Sequence, residues 1–126
     1  MTTAQKVGWG LSGLFGLFML AASAAPKFLG MAAAQDAMTA LGWPEAPLIL
    51  IGSLEVICTI LYLFPPTGLL GAALLMAILG GAMATNLHGQ APLFSHTLFS
   101  IYLGIFMWGG LILRDPRMRA VFPLAR

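Results

Sequence analysis

Charge is scarce in this chain: Lys and Arg number six and Asp and Glu four among 126 residues, 8% in all, against about 25% in an ordinary soluble domain. Between Glu55 and Arg114 there is no charged residue at all. Water is therefore not the main solvent of this protein, and one short domain of this length must cover its apolar surface with lipid and with helix–helix contact. The small net charge of +2 is carried by cations near the termini, and the absence of a basic stripe excludes a nucleic-acid partner. Cysteine is nearly absent too. Cys58 stands alone, which excludes an intrachain disulfide, a CxxC redox pair and a cysteine-rich zinc site, so any redox role needs a borrowed or bound centre. The two histidines, His88 and His96, lack the carboxylate or cysteine spacing of a metal site, and no resident metal is expected.

What the chain has in abundance is apolar length, at 60% hydrophobic residues. Apolar runs about as long as a helix needs to cross hydrocarbon, uncharged except for Glu55 in the second, predict spans over about 7–26, 47–64, 68–86 and 94–113, followed by a basic tail, 114–126. The expected fold is all-α: a single transmembrane domain, an integral membrane four-helix bundle. Ala22-Ser23-Ala24 also resembles a signal-peptidase site. Against cleavage stand Gly10, Gly13 and Gly16, read as a small-residue strip for close helix packing that a discarded leader would not need. The alanine-rich segment between Gly30 and Gly42 is too short and too polar at Gln35 and Asp36 to span, and is expected to lie as a short interfacial helix between spans one and two. Trp43 is placed at the headgroup level. Pro65-Pro66-Thr67-Gly68 predicts a tight hairpin, and Gly71, Ala72, Gly80, Gly81 and Ala84 suit intimate packing of span three.

Four spans put both termini on one side, with Lys6, Arg114, Arg117, Arg119 and Arg126, while the other side holds Lys27 beside Asp36 and Glu45. The excess of cations places both termini in the cytoplasm, in a cell inner (plasma) membrane. Lys27 and the His88 loop then face outward.

Glu55 is the residue most out of place. It lies about eight residues into span two, roughly 12 Å deep at 1.5 Å per residue. A carboxylate there costs about 2.5–3.5 kcal/mol on insertion scales, so it must face the bundle interior and find a partner or take up a proton. Lys27, at the outward end of span one, is the natural partner, aimed inward by the bend at Pro26; snorkelling to the headgroups is the competing expectation. Asn86, His88 and His96 gather on the same leaflet, outlining an outward-facing polar pocket with Lys27 and Glu55. Cys58 and Thr59 follow Glu55 by three and four residues and share its helix face, so they join the candidate lining. Cys58 is not proposed as a nucleophile, and Met19, Met76, Met83 and Met107 read as packing.

The sequence resembles the DoxX-like family in Gly16 followed by Pro26-Lys27-Phe28, in Gly52-Ser53-Leu54-Glu55, in the Pro65-Pro66 turn, and in Gly81-Ala82 followed by Asn86-Leu87-His88. The resemblance covers nearly the whole chain. It implies a four-helix membrane bundle with recurring polar positions at Lys27, Glu55 and His88. The family's founding members look like membrane subunits of a thiosulfate:quinone oxidoreductase, and other relatives resemble assembly or cargo-handling proteins. The leading expectation is an accessory membrane subunit, not catalytic on its own, holding a small amphipathic ligand such as a quinone or lipid, or a partner helix. Phe15, Phe18, Phe99 and Tyr102 are candidates for contact with the apolar body of that ligand. One alternative is a subunit of a sulfur-compound:quinone oxidoreductase, with Glu55 or His88 managing a proton. Another is a proton-coupled transporter, for which four spans leave little room without a homo-oligomer. Partner membrane or redox subunits and the lipid bilayer are the expected company.

Overall fold

The computed structural model describes residues 1–125, and Arg126 of the predicted tail lies outside the described residues. The chain enters its first helix through a capping box. Thr2 Oγ1 accepts from the Gln5 amide at 3.2 Å while Gln5 Oε1 accepts from the Thr2 amide at 2.9 Å, which satisfies donors that a helix start leaves orphaned. This helix, α1, runs over Thr3–Phe28. Along Phe18–Ala24 it widens into a π-helical stretch, where the Ala25 amide reaches the Leu20 carbonyl five residues back. Pro26 follows directly. Its missing N–H and its ring disfavour the ordinary pattern upstream, and the wider turn accommodates them.

Gly30, in the left-handed region at φ +65°, ends α1. A short helix α2, Ala32–Ala40, forms where it was expected, and Gly42 at φ +87° closes it. Helix α3, Leu48–Leu63, stops at Phe64, whose extended backbone is what the following proline demands. One 3-10 turn, Pro65–Thr67, makes the hairpin into α4, Gly68–His88, two residues longer than the predicted span. Helix α5, Leu93–Arg114, opens with a π-helical turn over Leu93–Thr97 and ends at extended Asp115 before Pro116. A second 3-10 turn, Pro116–Ala120, begins the tail. There is no strand among the described residues.

Three of these helices, Thr3–Phe28, Pro65–His88 and Leu93–Arg114, are long and apolar enough to cross a membrane; α3 is apolar but shorter, at 16 residues, about 24 Å.

Side-chain contacts fix the directions of the four. Phe15 meets Tyr62 edge-on at 5.4 Å and Lys27 pairs with Glu55, so α1 and α3 are antiparallel. Gly71 faces the backbone at Tyr62, Met76 faces Trp108, and Gly8 faces Gly110. The bundle therefore alternates up and down, and both chain ends lie at one end of it. Phe15, Met19, Tyr62, Leu75, Leu79, Met107 and Leu111 form the buried core. The outer faces carry Leu14, Leu17, Ile49, Leu50, Ile57, Ile60, Leu70 and Ile105, each more than half exposed or close to it. An apolar exterior of this kind belongs in lipid.

The small-residue strip differs from the expected one. Gly10 and Gly13 face open space, whereas Gly8, Ser12 and Gly16 are buried, Gly8 against the Gly110–Arg114 backbone and Gly16 against Leu63. Four-residue spacing keeps side chains on one helix face, and three-residue spacing drifts around it. On α4, likewise, Gly71 and Ala72 are buried in packing while Gly80 and Gly81 meet nothing.

Candidate ligand pocket

The polar centre is built where the π-helical stretch of α1 meets the middle of α3. Lys27 Nζ lies 3.0 Å from Glu55 Oε1, 2.9 Å from the Ser23 carbonyl and 3.2 Å from Ser23 Oγ. Of the two sequence expectations for Lys27, the structure realises inward pairing. Its side chain is largely buried, and Glu55 is only 4% exposed. Breaking such a pair leaves a buried charge uncompensated, at a cost of about 3–5 kcal/mol. Gly52, one turn before Glu55, lies against Phe28 and the Lys27 Cβ, which lets α1 approach α3 at this level. The second carboxylate oxygen, Glu55 Oε2, is buried and has no hydrogen-bond partner among the described residues.

Lys27 and Glu55 form one wall of a cavity of about 360 Å³. Ile51 and Leu54 of α3 and Ile78, Gly81 and Ala82 of α4 supply an apolar lining, to which Thr85 and Asn86 of α4 add polar groups. Met38, Leu41 and Trp43 close it from the α2 connection. No residue of α2 is itself buried; Gln35 Nε2 donates to the Pro44 carbonyl and ties the two limbs of this connection together. The cavity is thus a mainly apolar chamber with one ion pair in its wall, a composition suited to an amphipathic guest.

The candidate residues divide. Lys27, Glu55 and Asn86 line the cavity, Asn86 donating through Nδ2 to the Ala82 carbonyl at 2.8 Å. His88 lines an adjoining hollow that shares Leu41, Trp43 and Thr85 with it. His96 is exposed, its Nδ1 paired with Ser95 Oγ at 2.7 Å. Cys58 and Thr59 sit in the core, 6% and 0% exposed, away from the lining. Phe15 packs on Tyr62, and Phe18, Phe99 and Tyr102 form an aromatic row elsewhere. Among the described residues no three His, Cys, Asp or Glu side chains gather as a metal set.

Two features went unread in the sequence. Ser23 holds Lys27 from four residues upstream, and that spacing was the signal available. Arg114, counted in the sequence as the first residue of the basic tail, is 5% exposed, stacked between the rings of Trp9 and Tyr62 at 4.4 and 4.5 Å. Its Nη2 donates to the Tyr62 carbonyl, while Tyr62 Oη donates to the Met107 carbonyl at 2.5 Å and lies 2.9 Å from Ser12 Oγ. With Thr67 Oγ1 donating to the Leu61 carbonyl at 2.7 Å, Arg114 completes the C-terminus of α3, where a cation also suits the helix dipole. This second polar cluster lies at the end of the bundle opposite the cavity. Next to it, the Arg117 guanidinium holds the Asp115 carboxyl below its ordinary range by hydrogen bonding.

A model of the DoxX-like family matches residues 10–110. The matched segment contains every lining residue of the cavity and stops short of Arg114. No curated protein and no solved structure matches the chain.

Proposed function

Because the chain belongs to the DoxX-like family, we propose that it is an integral membrane protein that binds a small amphipathic ligand, of quinone or lipid type, between helices α1, α3 and α4, as an accessory subunit. In this reading α1, α3, α4 and α5 all cross the inner membrane with both termini in the cytoplasm, and the cavity opens toward the outer leaflet. Lys6, Arg114, Arg117 and Arg119 at the shared end of the bundle support that orientation. The observation that carries the ligand assignment is the cavity itself: about 360 Å³, apolar, with a buried ion pair in its wall. Stability alone is weak grounds for a buried ion pair, because apolar residues of similar volume in its place are often at least as stabilising. Here the pair borders a cavity.

The test is mass spectrometry of small molecules retained after gentle extraction of the wild type, Glu55→Gln and Lys27→Met from native membranes. A specific molecule retained by the wild type and reduced several-fold in both variants is expected. Equal retention in all three sinks the proposal.

A further inference from the structure

The hydrogen-bond valence of the ion pair says which chemistry the guest must bring. A lysine ammonium has three protons and accepts nothing. Lys27 spends them on the Ser23 carbonyl, Ser23 Oγ and Glu55 Oε1, all within 3.2 Å. It has no donor left for a ligand, and its charge is already matched by Glu55. Thr85 likewise spends its hydroxyl proton on the Gly81 carbonyl, at 2.8 Å. What remains on the ion pair itself is acceptor capacity. Of the buried side-chain atoms without a partner among the described residues, only Glu55 Oε2 belongs to a residue lining the cavity. The donors still uncommitted, the Ser23 hydroxyl, the Trp43 indole N–H and one Asn86 amide proton, are neutral, so an anionic head finds no unmatched cation.

We infer that the pocket selects a neutral amphiphile whose head is a hydroxyl, phenolic or alcoholic, donating its proton to Glu55 Oε2. A hydroquinone and a lipid alcohol share this chemistry; an oxidised quinone, an ether and a fatty-acid anion do not. The inference rests on the proposal that the cavity is a ligand site, and it adds the polarity of the ligand's head.

The test is isothermal titration of the full chain in a bilayer disc with matched pairs: 4-octylphenol against its methyl ether, decylhydroquinone against decylquinone, and monodecanoylglycerol against decanoate. The hydroxyl member of each pair is expected to bind about tenfold more tightly or better, as a hydrogen bond to a charged acceptor warrants. The pair with the tightest hydroxyl member distinguishes a quinol from a lipid alcohol. Glu55→Gln should collapse the phenol-to-ether ratio toward one. Should that variant fail to fold, infrared difference spectra of the wild type serve instead: phenol should shift a carboxylate stretching band and the ether should not. Ala82→Phe, which fills the chamber, should abolish binding of every compound. Ether and quinone binding as tight as their hydroxyl partners, yet lost in Ala82→Phe, overturns the hydroxyl assignment and leaves the pocket standing. No binding by any compound to the wild type overturns the pocket as well.

Discussion

At the residue scale the protein turns on two buried ionic groups, and they differed in how visible they were. Glu55 announced itself, because a carboxylate in an otherwise uncharged run has no cheap place to be. Arg114 did not. It stands at the end of a span among other cations, where an exposed arginine is the ordinary outcome, and its burial comes from Trp9 and Tyr62, which are distant in sequence. Cys58 and Thr59 show the reverse failure: sharing a helix face with Glu55 was legible, but one turn along α3 the neighbour is already core. Lys27→Met leaves Glu55 buried without its cation and should destabilise the protein by about 3–5 kcal/mol. The double variant Lys27→Met with Glu55→Leu should recover much of that loss in a thermal or chemical melt in detergent. A single variant as stable as the wild type would contradict the pairing.

At the scale of elements, helix limits followed closely from Gly, Pro and apolar run length, since Gly30, Gly42, Pro65 and Pro116 each stop a helix for a backbone reason. Which glycines pack was less legible. Three-residue and four-residue spacings coexist in α1, and only contact with α5 selects the face bearing Gly8 and Ser12. Gly8→Ala would press a methyl group into the Gly110–Arg114 backbone and should cost about 1–3 kcal/mol, whereas Gly10→Ala should be neutral or slightly stabilising; equal effects in the same melt would refute the assigned face. The π-helical stretch of α1 was not foreseen either, although Pro26 supplied its cause. In the tail turn, the Arg117 amide donates to Asp115 Oδ1 at 3.0 Å. The folded Asp115 carboxyl titrates below its ordinary value near 3.9, so its contribution is full above that value and disappears as pH falls through the lower folded one. Asp115→Asn should therefore speed hydrogen exchange of the Arg117 amide at neutral pH and lose that effect in strong acid. With the Arg117 side chain 75% exposed, the pair contributes little to global stability.

For the whole molecule, the all-helical bundle was legible from hydropathy alone, because lipid leaves helices as the economical way to satisfy a backbone over 20 apolar residues. The cavity was only half legible. Its polar wall could be named from Lys27, Glu55 and Asn86, but its closure by Met38, Leu41 and Trp43 depends on how the α2 connection folds back, which no periodicity encodes. Single-cysteine variants on a Cys58→Ala background should label from the cytoplasmic side at Lys6 and Arg119 and from the outer side at Glu45 and Gln90. Labelling of Lys6 and Glu45 from the same side would contradict the proposed topology. The most direct measurement is native mass spectrometry of the protein released from its own membrane, with the wild type beside Ala82→Phe. The wild type should carry a bound molecule of a few hundred daltons that the filled chamber excludes. Identical spectra for the two proteins, with the same adduct or with none, would contradict a ligand site between α1, α3 and α4.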